Sequence, residues 1–235
     1  MTHPAWPSTT WQIYSHDYDT HASFFGAKKG SEPLHVQVNL PDRTLAVVNS
    51  LGTPITAARL RVRNFGLDGT LLDERTIPLT AAAYGVTSAG EAVPDAVFAR
   101  APVVITKLEL TDGDGSLISE NLYWLAREPA HYHAMAAMDA VAVKVTARRV
   151  ASAEEQVIEA TLTNANNTPA LLTKLTVRDA AGARVLPAYW SDNYVSLLPG
   201  ETRVVTIRAP LSAAMPESIG VRGWNVTAGE TKVMP

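Results

Sequence analysis

The chain has 235 residues, is 46% hydrophobic and carries a formal net charge of −3 at pH 7. That length suits two domains of ordinary size with real apolar cores, and the mild acidity excludes the basic footprint of a nucleic-acid binder. The absence of cysteine excludes a disulfide framework, a thiolate zinc site and a thiol nucleophile. No run of 18 apolar residues is present to cross a membrane as a helix.

In chain order, Met1–Ser8 has neither a basic start nor an apolar stretch and does not read as a signal peptide, so the compartment stays open. If a parent protein is exported, its signal lies upstream. Residues 1–38 hold four of the six histidines. Residues 17–29 predict a short amphipathic helix, with Asp17 or Asp19 as cap, Lys28 and Lys29 at its C-terminal dipole, and Gly30 as its stop. From Leu34 the apolar period becomes two: Leu34, Val36 and Val38, then Leu45 and Val47, then Leu60 and Val62 set between Arg59, Arg61 and Arg63. Turn signals follow at Gly66–Thr70 and Asp112–Gly115, with a strand over Val104–Leu110 between them and another at Leu122–Leu125. The stretch 129–138 reads as a linker.

The alternation then resumes at Val141/Val143/Val145, Ile158/Ala160/Leu162, Leu175/Val177, Val205/Ile207 and Ile219/Val221, with a type II turn expected at Leu198-Pro-Gly-Glu201. The two halves repeat. Asn49–Asn64 aligns without gaps on Asn164–Asp179, 115 positions later, and six of 16 positions are identical: Asn, Thr, Pro, Leu, Val and Arg. The fold class predicted is all-β, with two tandem immunoglobulin-like sandwiches at 34–128 and 139–235.

Chemical motifs are sparse. His131 and His133 lack a third ligand placed by spacing, so a metal site is not expected. Asp112-Gly-Asp-Gly115 is too short for an EF-hand loop. Glu154, Glu155 and Glu120 read as solvated or structural carboxylates, and no nucleophile elbow, phosphate loop or dinucleotide fingerprint occurs. No cofactor is expected. The aromatics Tyr189, Trp190, Tyr194 and Trp224, with Asp192 and Asn193 among them, leave two readings open: core or domain interface, or a platform for sugar rings.

Two stretches carry a family resemblance. One is Trp6-Pro-Ser-Thr-Thr-Trp-Gln-Ile-Tyr14 with Phe24-Phe-Gly-Ala-Lys-Lys29 and Glu32-Pro-Leu-His-Val-Gln37. The other is Val185-Leu-Pro-Ala-Tyr-Trp-Ser-Asp-Asn-Tyr-Val-Ser-Leu-Leu-Pro-Gly-Glu-Thr202 with Gly223-Trp-Asn225, and Asn121-Leu-Tyr-Trp-Leu125 adds to it. Together they resemble glycoside hydrolase family 2, in its branch of exo-β-D-glucosaminidases and β-mannosidases. The resemblance implies that residues 1–33 are the last loop and helix of a (β/α)8 barrel and that two trailing sandwiches follow. It implies that both catalytic carboxylates lie on barrel strands this chain lacks. Trp6 would then be a subsite residue of the intact enzyme, and the barrel would be the chain's main partner. An oligosaccharide held on the aromatics, or a second copy packed on the exposed helix 17–30, are the rival partners. A periplasmic or secreted parent fits the family.

Overall fold

In this computed structural model residues 13–235 are described, so Trp6 lies outside the described residues. They form two compact units: residues 28–138, and residues 139–235 joined by the described residues up to Ala27. The first helix, α1 (Ala22–Gly30), contains the boundary.

The first unit has seven strands: β1 (Leu34–Asn39), β2 (Thr44–Asn49), β3 (Ile55–Phe65), β4 (Leu71–Ala81), β5 (Gly85–Glu91), β6 (Val103–Thr111) and β7 (Leu117–Ala126), with a single helical turn, α2 (Asp95–Phe98), between β5 and β6. They make an antiparallel sheet β1-β2-β5 and a second antiparallel sheet β4-β3-β6-β7. Alternation puts Val36, Val38, Leu45, Val47, Leu60, Val62, Leu108 and Leu110 into one buried core. The arginines between them face outward, where Arg61 pairs with Glu74 at 2.8 Å and Arg63 with Glu109 at 3.0 Å. No backbone ladder joins β1 to β7. Instead the Val36 N–H donates to Ser119 Oγ (3.3 Å) and the Asn121 amide donates to the Val36 carbonyl (3.4 Å). Residues Pro129–Ala137, expected as a linker, wind into a 3-10 helix that buries Met135 within this unit.

The second unit follows the same connectivity. Its strands are β8 (Lys144–Val150), β9 (Glu155–Thr163), β10 (Ala170–Arg178), β11 (Tyr189–Trp190), β12 (Val195–Leu197), β13 (Thr202–Pro210), β14 (Ser218–Arg222) and β15 (Gly229–Met234). Here β15 runs parallel to β8, pairing Val233 with Ala147, so the sheets continue as one ladder in the order β11-β13-β9-β8-β15-β14-β10-β12. Its core includes Ile158, Leu162, Leu175, Val177, Leu197, Ile207 and Ile219.

The repeat seen in the sequence is a structural repeat. The Asn49 side-chain amide donates to the carbonyls of Thr53 (2.9 Å) and Ala81 (3.4 Å), and its oxygen accepts from the Leu51 N–H (2.9 Å). Asn164 repeats the pattern, donating to Thr168 (3.0 Å) and Leu197 (3.0 Å) and accepting from Asn166 N–H (3.1 Å). Both side chains are buried. Each tethers the start of the loop into the third strand to the strand that pairs beside it. A few residues on, each copy breaks register with one residue in the left-handed region: Ala57 at φ 54° in β3, Leu172 at φ 52° in β10.

The predicted turns hold. Asp112 Oδ1 accepts from the N–H groups of Asp114 (3.0 Å) and Ser116 (2.8 Å), and Gly115 takes φ 86°. That carboxylate caps its own hairpin. At Leu198–Glu201 the Glu201 N–H reaches the Leu198 carbonyl at 3.0 Å with Gly200 at φ 77°. The helix requires a correction. It starts at Ala22, so neither Asp17 nor Asp19 caps it, because both carboxylates are engaged by basic side chains of the second unit.

Asn164→Ala is expected to cost about 1–3 kcal/mol, because the buried Leu197 carbonyl of β12 and the part-buried Thr168 carbonyl of the loop lose their donor. Urea unfolding of the 235-residue chain should show the loss in the transition reported by the second unit, with that of residues 28–138 unchanged.

Candidate functional site

The two stretches that carry the family resemblance in the second unit, 185–202 and 223–225, converge on the irregular part of β10. Its register break between Ala170 and Thr173 leaves backbone groups without ladder partners. The Leu171 N–H donates to Asn225 Oδ1 (2.9 Å), and the Leu171 carbonyl accepts from the Trp224 N–H (2.9 Å). The Leu172 N–H donates to Ser196 Oγ (3.1 Å). The Asn225 amide also donates to Asp139 (3.0 Å) and Pro169 (2.8 Å) carbonyls, so this buried side chain ties three segments together. Gly223 is required here by proximity: a Cβ would stand 2.7 Å from the Leu171 carbonyl oxygen.

Asn193 does a related job two residues beyond the Thr173–Val195 pair. Its oxygen accepts from the Leu175 N–H (2.8 Å) and its amide donates to the Leu175 carbonyl (3.0 Å). It sits at the register position where the next ladder pair would fall, and its carboxamide replaces its own backbone. That frees the chain to turn at Tyr194, which has φ 55°. Asp192 Oδ1 supports the turn by accepting from the Asn193 N–H (2.9 Å).

The aromatic set does not share one role. Tyr189 is 55% exposed on β11, opposite Arg208 of β13, and Trp224 is 57% exposed. Trp190 packs partly buried against the core. Tyr194 faces the chain's own N-terminal segment: its ring lies 6.1 Å from that of buried Phe25 in α1, and its hydroxyl donates to the Thr20 carbonyl (3.3 Å). Lys174 Nζ stands 5.4 Å from the same ring and donates to Asp19 Oδ2 (2.7 Å). Arg184 completes the patch by binding Asp19 (3.2 Å) and Asp17. The segment itself is a tight loop in which the Ser15 N–H meets the Asp19 carbonyl at 2.9 Å, with Tyr18 at φ 68°.

Lys174 and Arg184 have no signature in the sequence, and Asp17 and Asp19, expected as helix caps, are their partners instead. Lys174 has a counterpart in the first copy, Arg59, but Arg59 is exposed and Lys174 is buried. His131 accepts from the Glu128 N–H through Nδ1 (3.3 Å), capping the 3-10 helix. Among the described residues no three His, Asp or Glu side chains gather as a metal site. Glu120 pairs with buried Lys107 at 2.6 Å, and Glu155 lies 3.8 Å from Arg208.

Burial alone would push the Asp17 carboxyl up. Hydrogen bonds from the Ser15 hydroxyl and the Asp19 N–H, and the Arg184 guanidinium, outweigh it and hold the group at about 2, below its usual 3.8. A depressed carboxylate contributes fully above 3.8 and loses that contribution as pH falls toward 2. The Asp17 carboxyl carbon signal should therefore titrate near pH 2 in wild type and at higher pH in Arg184→Gln.

Comparisons with known proteins bear on the same segments. The family model described as the exo-β-D-glucosaminidase Ig-fold domain matches residues 121–226, and the mannosidase Ig/CBM-like domain matches residues 43–127. An exo-β-D-glucosaminidase of Streptomyces avermitilis is 33% identical over 98% of this chain and 28% of its own length. That of Amycolatopsis orientalis is 30% identical over 96% of this chain and 24% of its own. The crystal structure of the Amycolatopsis orientalis exo-chitosanase CsxA superposes at a TM-score of 0.86 with 29% identity, covering 99% of this chain and 30% of that one. A β-D-mannosidase of Dictyoglomus thermophilum shares the fold at a TM-score of 0.67 and 15% identity, over 96% of this chain and 26% of its own. The chain thus spans under a third of the length of these relatives. With both sandwiches matched in order, it belongs to the exo-β-D-glucosaminidase/mannosidase group of glycoside hydrolase family 2, as its immunoglobulin-fold domains.

Proposed function

We propose that this chain is the non-catalytic C-terminal part of a glycoside hydrolase that removes terminal β-linked glucosamine, or mannose, by a two-carboxylate mechanism. Its role is to support a catalytic (β/α)8 barrel, and residues 1–33 are the last loop and helix of that barrel. Trp6 belongs to the loop that faces substrate in the intact enzyme. The observation that carries this reading is the use made of side chains in the stretches that carry the family resemblance. Asn193 and Asn225 are spent on the backbone of β10, and Tyr194 on the chain's own N-terminal segment. A retaining glycosidase needs two carboxylates facing one bond, whereas Glu120, Asp17 and Asp19 are ion-paired to Lys107, Arg184 and Lys174. A barrel alone takes about 250 residues. The naming of the relatives favours glucosamine over mannose. The 235-residue chain is expected to give no turnover of p-nitrophenyl β-D-glucosaminide or β-mannoside. Hydrolysis that follows the protein through successive purification steps overturns the reading.

The exposed rings of Tyr189 and Trp224 favour a second reading, weak stacking on sugar. Titration with chitosan oligosaccharides, followed by tryptophan fluorescence, should saturate in the millimolar range and lose amplitude in Trp224→Ala. A flat trace removes this reading and leaves the first untouched.

A further inference from the structure

The N-terminal segment is held by the sandwich that lies farther along the chain. Residues 13–27 belong to the same compact unit as residues 139–235, although residues 28–138 follow them directly in sequence. The contacts responsible span 155 to 174 positions. They combine three kinds of interaction. Asp19 is shared between Lys174 (2.7 Å) and Arg184 (3.2 Å), and Arg184 also binds Asp17. The Thr20 carbonyl accepts from the Tyr194 hydroxyl (3.3 Å). Phe25 buries its ring beside that of Tyr194.

Each component on the sandwich side is prepared by the fold. Lys174 is buried beside the Tyr194 ring, so its ammonium needs a carboxylate partner, and Asp19 is that partner. Tyr194 is aimed by the Asn193 carboxamide and by its own left-handed backbone. The segment is prepared in turn: Ser15 and the Asp19 N–H orient the Asp17 carboxylate before Arg184 meets it. At the aligned position of the first copy stands the exposed Arg59, whose neighbour Arg61 pairs with Glu74 of the same sheet.

We propose that Lys174, Arg184 and Tyr194 form a docking surface for the acidic strap 13–27, and that this surface mounts the end of the catalytic domain on the last sandwich instead of the adjacent one. The mounting role rests on the function proposed above, and the docking surface does not. Lys174, Arg184 and Tyr194 are positioning residues. They act on the path of the chain toward the barrel and touch no reacting atom.

Hydrogen–deuterium exchange on the whole 235-residue chain tests the docking surface without any sugar or turnover. The amides of Ser15, Tyr18 and His21 close the strap on itself, and they stay protected only while it is docked. Arg184→Glu, at a half-exposed position where folding is at little risk, is expected to speed exchange over residues 13–21 at least tenfold, with β10 amides such as Val177 unchanged. Asp19→Asn, which removes the carboxylate shared by Lys174 and Arg184, should do the same. Unchanged exchange in both single variants overturns the proposal. So does a rise shared equally by the strap and β10, since the strap would then have no docking step of its own. Either result leaves the glycosidase reading standing, while turnover by the chain would sink that reading and leave the docking surface intact.

Discussion

Inside a sandwich every backbone N–H and carbonyl that leaves the ladder needs a partner, because an unpaired buried amide or carbonyl costs about 1–3 kcal/mol. The third strand of each unit creates that need by placing one residue, Ala57 or Leu172, in the left-handed region and slipping register. The solution is the same side chain used repeatedly. A carboxamide carries one donor face and one acceptor face, like a peptide, so it substitutes for a strand neighbour. Asn49 and Asn164 pin the loops before the slipped strands, and Asn193 and Asn225 pair the backbone around the second one. Where the chain turns at Tyr194, and so where the N-terminal strap lands, follows from those pairings.

Strands with one buried face were legible because alternation reports burial. The pairs Val36/Val38, Leu60/Val62 and Leu175/Val177 all lie on strands whose apolar side enters a core. Other elements hid for physical reasons. The 11-residue β4 carries Pro78 and a charged run at the rim of its sheet, where only one side needs ladder donors. Strands β11 and β12 are two and three residues long and leave too little period to read. Alternation predicts a strand from Val141, yet β8 begins at Lys144 and Val141 makes an isolated bridge to Val226. Asp17 and Asp19 resemble helix caps, and nothing local announces that their partners Lys174 and Arg184 lie far along the chain. The aromatic group was legible as letters in a row, but a turn separates Trp190 on the core from Tyr194 on the strap.

The two copies divide scaffold from specialisation. Shared positions hold the asparagine pin, the register slip and the core, whereas Lys174 and its surroundings differ from Arg59 and its surroundings. Family membership follows the same division. The exo-β-D-glucosaminidase domain model covers the copy that contains the specialised turn, and the mannosidase Ig/CBM-like model covers the plainer one.

The parallel seam between β15 and β8 has a consequence for the sheet edges. Joining two sheets end to end removes two free borders, and the borders that remain in the second unit are β11 and β12, the shortest strands it has. β11 covers β13 only at Ile207 and Arg208, so the strand template left on that side is the short stretch Thr202–Val205. The first unit has no such seam: side chains of Ser119 and Asn121 bridge β1 to β7, and its longest border, β4, carries Asp73, Glu74, Arg75 and Pro78. The two halves therefore treat their sheet edges differently, by a continuous ladder in one and by charge and proline on the longest border of the other.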